Sequence, residues 1–252
     1  MSNGQAVKRR AALCEWFTHS PGRSLRAVEA HALRAVWPGL FGKVAVQVGS
    51  VGAVDLLESC NAPTRTLCEF PGVPNAGIPC VHGVPEELPF ESQSVDLVLL
   101  PHVLEFADDP HQVLREVSRI LTPEGHVVML GFNPISLWGL WRLLRRRRAG
   151  VPWSGNFLSL PRIKDWFKLL EFELAQGRMH YYRPPLTGET TMDRLRFLDR
   201  AGDRWWPMAG AVYLLVARKR VLGMTPLRPA WRTPKVLGKA VARPALRVIR
   251  GG

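Results

Sequence analysis

The sequence predicts an α/β domain on a doubly wound, mostly parallel sheet, preceded by a helical segment and followed by a basic tail. Three observations carry that expectation. Apolar runs of strand length alternate with helix-period segments through the first half of the chain. The segment VDLVLL, Val95–Leu100, is a nearly continuous apolar run, the pattern of a strand covered by helices on both faces. A chain of 252 residues that is 46% hydrophobic can also fill one sizeable core.

The elements follow in order. Residues 1–42 read as an N-terminal helical segment. Lys43–Val48 is a β-branched run ended by Gly49, hence a first strand, and Ala53–Ser59 spaces Val54, Leu56 and Leu57 as a short helix would. Thr64–Phe70 reads as a second strand. After a Pro/Gly-rich connection from Pro71 to Pro79, Cys80–Val84 reads as a short third, and Ser94–Leu100 as the fourth. Asp109 can cap the next helix and Pro110 suits its first turn, while Val113, Leu114, Val117, Ile120 and Leu121 recur on one face. The turn TPEG ends it, and His126–Leu130 makes the next strand. In such sheets ligands collect at the carboxyl ends of the strands. The stretch AVQVGSVGAVD, Ala45–Asp55, lies at the first such end.

Composition narrows the function. Cys14, Cys60, Cys68 and Cys80 contain no C-x-x-C pair and are expected to be reduced packing residues. Glu15 interrupts the first apolar stretch and nowhere do eighteen apolar residues run together, so a cytoplasmic protein without a membrane span is expected. The net charge of +13 is uneven: no acidic residue follows Asp203, whereas basic residues recur from Arg218 to Arg250. A second basic knot runs from Arg145 to Arg148. Such charge draws phosphate backbones or anionic lipid without sequence specificity, and it also serves simply as a solvated surface.

The segment VHGVPEELPFESQSVDLVLLPHVLEFADDPHQVLREVSRILTPEGHVVMLGFNP resembles, in order and spacing, the class I S-adenosylmethionine-dependent methyltransferases of the type 11 group. Their text runs like GDAEALPF, SFDVV, HVLEHV-DP and ALREV-RVLKPGG. Downstream, FLSLPRIKDWFKLLEFEL is similar to a bacterial subgroup of such proteins. The resemblance implies a seven-stranded Rossmann-like methyltransferase fold over residues 43–220, with Val212–Lys219 as an antiparallel last strand. Residues 221–252, a Pro-containing basic tail, lie outside it. It implies S-adenosyl-L-methionine as cofactor and methyl transfer to an acceptor that the residues do not identify.

The resemblance also assigns positions. The family's D-x-G-x-G-x-G loop aligns with Gln47, Gly49, Val51 and Ala53, so only Gly49 stands in register, with Gly52 displaced by one place. Glu69 stands where the family's acid accepts from both ribose hydroxyls. Val84 replaces the aspartate that accepts from the adenine amino group, and Pro101 closes the fourth strand beside the site. His102, at the mouth of that strand, is the candidate catalytic residue, able to hold an acceptor or take its proton; its other reading is a histidine that finishes a strand. Phe106 replaces the family's second histidine. With these departures, weak cofactor binding is expected.

After the fifth strand, SLWGLWRLLRRRR places Trp138 and Trp141 among Leu137, Leu140 and Leu144 ahead of the arginines. This segment reads as a covering helix, a substrate lid, a membrane-surface helix or a nucleic-acid grip. Trp205 and Trp206 read as part of the substrate side or of the last sheet edge. Three classes of function fit: a methyltransferase, a catalytically silent methyltransferase fold that binds a partner, and a basic protein that binds nucleic acid or a membrane surface.

Overall fold

A computed structural model describes residues 3–52, 54–70, 79–145, 150–186 and 194–220, with Val73, Gly77 and Gly188. The tail expected at 221–252 lies outside the described residues, as do Arg146–Arg148. Helices α1 (Asn3–Trp16) and α2 (Gly22–Val36) precede strands β1 (Val44–Val48), β2 (Thr64–Glu69), β3 (Cys80–His82) and β4 (Val95–Pro101). Then come α3 (Pro110–Ile120), β5 (Leu121–Phe132), α4 (Leu137–Arg145), α5 (Leu160–Leu169), β6 (Phe172–His180), α6 (Phe197–Trp205) and β7 (Val212–Lys219).

The strands form one seven-stranded sheet in the order β3-β2-β1-β4-β5-β7-β6. All neighbours pair in parallel except those of β7, which runs antiparallel to both β5 and β6. This is the Rossmann-like methyltransferase arrangement, with β6 pointing the same way as β5. The carboxyl ends of β1, β4, β5 and β6 therefore open on one edge.

Strand alternation distributes the core over two faces. Ala45, Leu97, Leu99, Val128 and Leu130 point to the face covered by Leu13 of α1 and Phe17 just after it, Leu25 and Leu33 of α2, and Trp138 of α4. Their neighbours Val46, Val98, Leu100, Val127 and Met129 point to the other, under Val113 and Val117 of α3 and Ile163 and Phe167 of α5. The two N-terminal helices are thus core elements of the sheet.

Local chemistry fixes the boundaries. Asp109 caps α3 as its sequence implies, accepting from the backbone N–H of His111 and Gln112. The segment read as a helix at Ala53–Ser59 is instead a run of turns over its described residues. Asp55 Oδ1 takes the Leu57 N–H at 2.7 Å, and Arg65 takes the carbonyls of Leu57 and Glu58 at 3.1 Å each. Trp37 Nε1 donates to the Leu56 carbonyl as well, so the groups a helix would pair internally are already paired. The third strand stops at His82, and β5 begins at Leu121 with a register shift across from Val95–Leu97, rather than after the TPEG turn.

Candidate active site at the carboxyl edge of the sheet

The loop after β1 keeps glycine where the backbone requires it. Gly49 has φ 79° and Gly52 φ 72°, a left-handed conformation that residues with a Cβ adopt at a cost. The Gly49 N–H donates to the Cys68 carbonyl at 2.8 Å, locking the end of β1 to β2. Glu69, last residue of β2, faces this loop and is 2% exposed.

The Glu69 carboxylate already has partners from its own chain. Oε2 accepts from Ser50 N at 2.6 Å and Ser50 Oγ at 2.5 Å, and Oε1 accepts from Phe70 N at 3.0 Å. Arg10 of α1 reaches across, with Nη2 3.7 Å from the same carboxylate. Its Nη1 donates to the His102 carbonyl at 3.2 Å and its Nη2 to the Ser50 carbonyl at 3.1 Å. Only 3% of Arg10 is exposed. A Cβ on Gly49 would meet this guanidinium, and one on Gly52 would meet that of Arg26 from α2. The space that the two glycines leave open to a ligand backbone is filled by two cations of the N-terminal helices.

Beyond Arg10 lies a cavity of about 220 Å³ whose wall includes Val84, Phe70, Glu86, Val103 and Phe106. Val84 presents only methyl groups there. Glu86 Oε1 accepts from the Asp108 N–H, so it is engaged in holding the loop before α3.

His102 follows Pro101 with φ 51°, its N–H donating to the Leu130 carbonyl. Its ring is fully buried, tilted against Phe132 with ring centroids 4.2 Å apart, and its centroid is 5.4 Å from that of Phe17. Nε2 donates to Glu29 Oε1 of α2 at 2.7 Å, and Nδ1 lies 3.5 Å from Glu105 Oε1. Glu105 also accepts the Phe132 N–H at 2.7 Å. Burial alone would disfavour the imidazolium, but the two flanking carboxylates outweigh it and raise the His102 pKa to about 9. At neutral pH a buried cation is clamped between two acids, tying α2 to the sheet.

Gly49, Gly52, Glu69, Pro101 and His102 therefore gather at one edge, with Val84 in the neighbouring cavity. The fit to an adenosyl cofactor is divided. The glycine turn supplies the right space and the strand-end carboxylate the right acceptor. In the arrangement observed, however, Arg10 lies over Gly49 and Arg26 over Gly52, and Glu69 already accepts three hydrogen bonds from Ser50 and Phe70. Arg10, Glu29 and Arg26 were not legible as site residues, because the contacts that bring them in are made across distant parts of the chain, whereas Ser50 lies within the quoted AVQVGSVGAVD stretch. Glu105 carried a local signal, since it lies within the quoted HVLEF segment.

Comparison with known proteins agrees with the fold. Residues 39–129 match the family model described as a methyltransferase domain. The chain is 29% identical over 221 residues to the uncharacterized protein YafS of Escherichia coli K12, covering 85% of each. It is 31% identical over 91 residues to a demethylmenaquinone methyltransferase of Chlamydia pneumoniae, covering 34% of this chain and 39% of that protein. An S-adenosylmethionine-dependent methyltransferase of Thermotoga maritima superposes with a TM-score of 0.58 at 19% identity, over 82% of this chain and 94% of that one.

Proposed function

The chain carries a class I S-adenosylmethionine-dependent methyltransferase domain of the type 11 group, and from that premise we propose that it methylates its acceptor only after α1 withdraws Arg10 from the cofactor site. The observation that carries this reading is the Arg10 guanidinium, buried over Gly49 and shared among the carbonyls of Ser50 and His102 and the carboxylate of Glu69. The cofactor supplies a cationic sulfonium whose methyl group is the one transferred. Arg10 fills the space over Gly49 that a bound cofactor would use, so its guanidinium would have to move for the cofactor to enter.

With Arg10 withdrawn, Glu69 is the acceptor for the ribose hydroxyls, Gly49 and Gly52 admit the ligand at close range, and Pro101 and Val84 bound it. Closure by Arg10 and the methyl groups of Val84 both favour weak binding. An opening that costs about 3 kcal/mol lowers the apparent affinity about a hundredfold. His102 is assigned to positioning: its ring holds Glu29 and thereby α2, and with no exposed surface it does not touch an acceptor while α2 is seated. The net charge of +13 supports contact with an anionic surface, nucleic acid or membrane.

Calorimetric titration with S-adenosylmethionine and its demethylated product tests the reading. Saturable binding that Glu69→Gln weakens at least tenfold is expected. A folded protein that binds neither ligand into the millimolar range abandons the enzyme reading for the silent fold.

A further inference from the structure

Helix α4 turns the usual arrangement of an amphipathic helix outward. Its inner face is fixed: Trp138 is fully buried, and its Nε1 donates to the Arg183 carbonyl at 2.8 Å. Gly139 lies so close to the Pro134 carbonyl that any Cβ there would clash with it. Asn133 and Ser136 brace the turn that enters the helix, Asn133 Nδ2 donating to the carbonyls of Met208 and Gly210 at 2.9 Å each, and Ser136 Oγ donating to the Asn133 carbonyl. The outer face is then committed, and it is leucine. Leu137, Leu140, Leu143 and Leu144 are 55%, 55%, 63% and 75% exposed, and Ile135 precedes them at 74%.

We propose that α4 is an interfacial anchor that lays its leucine face into an anionic lipid surface. Contiguous exposed side chains of this size on a rigid helix mark a contact surface, whereas singly scattered ones do not. Charge complementarity selects the partner: the sequence continues from these leucines directly into Arg145–Arg148, and the chain as a whole carries +13. Across the Asn133–Met208 hydrogen bond, Trp206 and Met208 are also exposed, and tryptophan is favoured at the lipid headgroup boundary. Leucine neither stacks on bases nor pairs with phosphate, so the outer face fits lipid better than nucleic acid. Nine residues rise only about 13 Å, so the helix lies in the interface. Among the described residues no helix is long and apolar enough to cross a membrane. Because α4 follows β5 at the carboxyl edge, docking brings the edge that holds Gly49, Glu69 and His102 near the lipid.

Co-sedimentation of the full chain with phosphatidylcholine vesicles, with and without about 30 mol% phosphatidylglycerol, tests the anchor at near-physiological salt. Binding to the anionic vesicles is expected. The double variant Leu140→Glu, Leu144→Glu should lower that binding at least tenfold with an unchanged thermal midpoint, because both side chains are exposed. Replacement of Arg145–Arg148 by glutamine should also weaken it at least tenfold. The proposal fails if the wild-type chain does not sediment with anionic vesicles, or if the leucine variant binds like wild type, which would leave basic charge alone as the cause. It also fails if sedimentation velocity shows a dimer that the leucine variant dissociates, which would assign this face to a second copy. Preference for single-stranded RNA over anionic vesicles, unaffected by the leucine changes, would overturn it as well.

Discussion

Arg10→Ala separates the two jobs a buried arginine could do at this site. The guanidinium donates to two buried carbonyls, Ser50 at 3.1 Å and His102 at 3.2 Å, and stands 3.7 Å from Glu69. Hydrogen bonds from charged donors contribute about 1.5 kcal/mol each at the low end, so the closed arrangement loses about 3 kcal/mol without them. That corresponds to about a hundredfold in the closed-to-open ratio. Because Ser50 still holds Glu69 at 2.5–2.6 Å, only part of this appears as affinity, and a ten- to hundredfold tighter Kd for S-adenosylmethionine is expected by calorimetry. The ligand-free thermal midpoint should fall at the same time, since α1 loses one of its polar anchors, leaving Cys14 on the Ser50 carbonyl. The two readouts thus move in opposite directions. Weaker binding by Arg10→Ala would refute the reasoning, because it would make Arg10 a cofactor ligand; unchanged binding would show that the guanidinium does not obstruct the site.

Three further outcomes follow from the same geometry. Val84→Asp, which puts an acceptor into the wall of the 220 Å³ cavity, should tighten cofactor binding by about 1 kcal/mol, and unchanged calorimetry would mean that adenine does not lie there. The His102 pKa of about 9 in the folded chain exceeds the value of about 6.5 when unfolded, so its contribution to stability is complete below pH 6.5 and is lost as pH rises through 9. That is about 3 kcal/mol, read as a falling denaturant midpoint over this window which His102→Gln flattens. Trp138→Ala removes a fully buried ring and its hydrogen bond to Arg183, and should destabilise by about 3–5 kcal/mol in chemical denaturation.

What the sequence disclosed was what local pattern controls. The fourth strand was legible because a run apolar on both faces has few other uses, and α3 because Asp109 and Pro110 act within one turn. The antiparallel last strand came from the family resemblance alone, since no local feature of Val212–Lys219 specifies its direction. The short segment after Val51 was misread for a physical reason. Its leucines do enter the core, Leu56 at 3% and Leu57 at 0% exposure, but the backbone groups are paired by Asp55, Arg65 and Trp37 instead of by a helix. Hydrophobic spacing reports burial and is silent on who takes the hydrogen bonds.

The site shows the same division. Gly49, Gly52 and Glu69 could be placed by alignment because each lies at a strand end. Their occupant could not, since Arg10 is 92 positions from the carbonyl of His102, and Glu29 is 73 positions from the His102 ring. A residue-by-residue reading of a degenerate loop asks what the loop has lost. Here the more consequential change lies outside it, in helices that pack on the sheet and extend two arginines over the glycines.

Amide hydrogen exchange of α1 during titration with S-adenosylmethionine tests that conclusion most directly. If α1 must withdraw Arg10 for the cofactor to enter, exchange over Lys8–Cys14 quickens as the ligand saturates, while β1 and β4 keep their protection. Slower exchange in α1 on saturation would mean that the helix closes over the ligand, and would contradict the account.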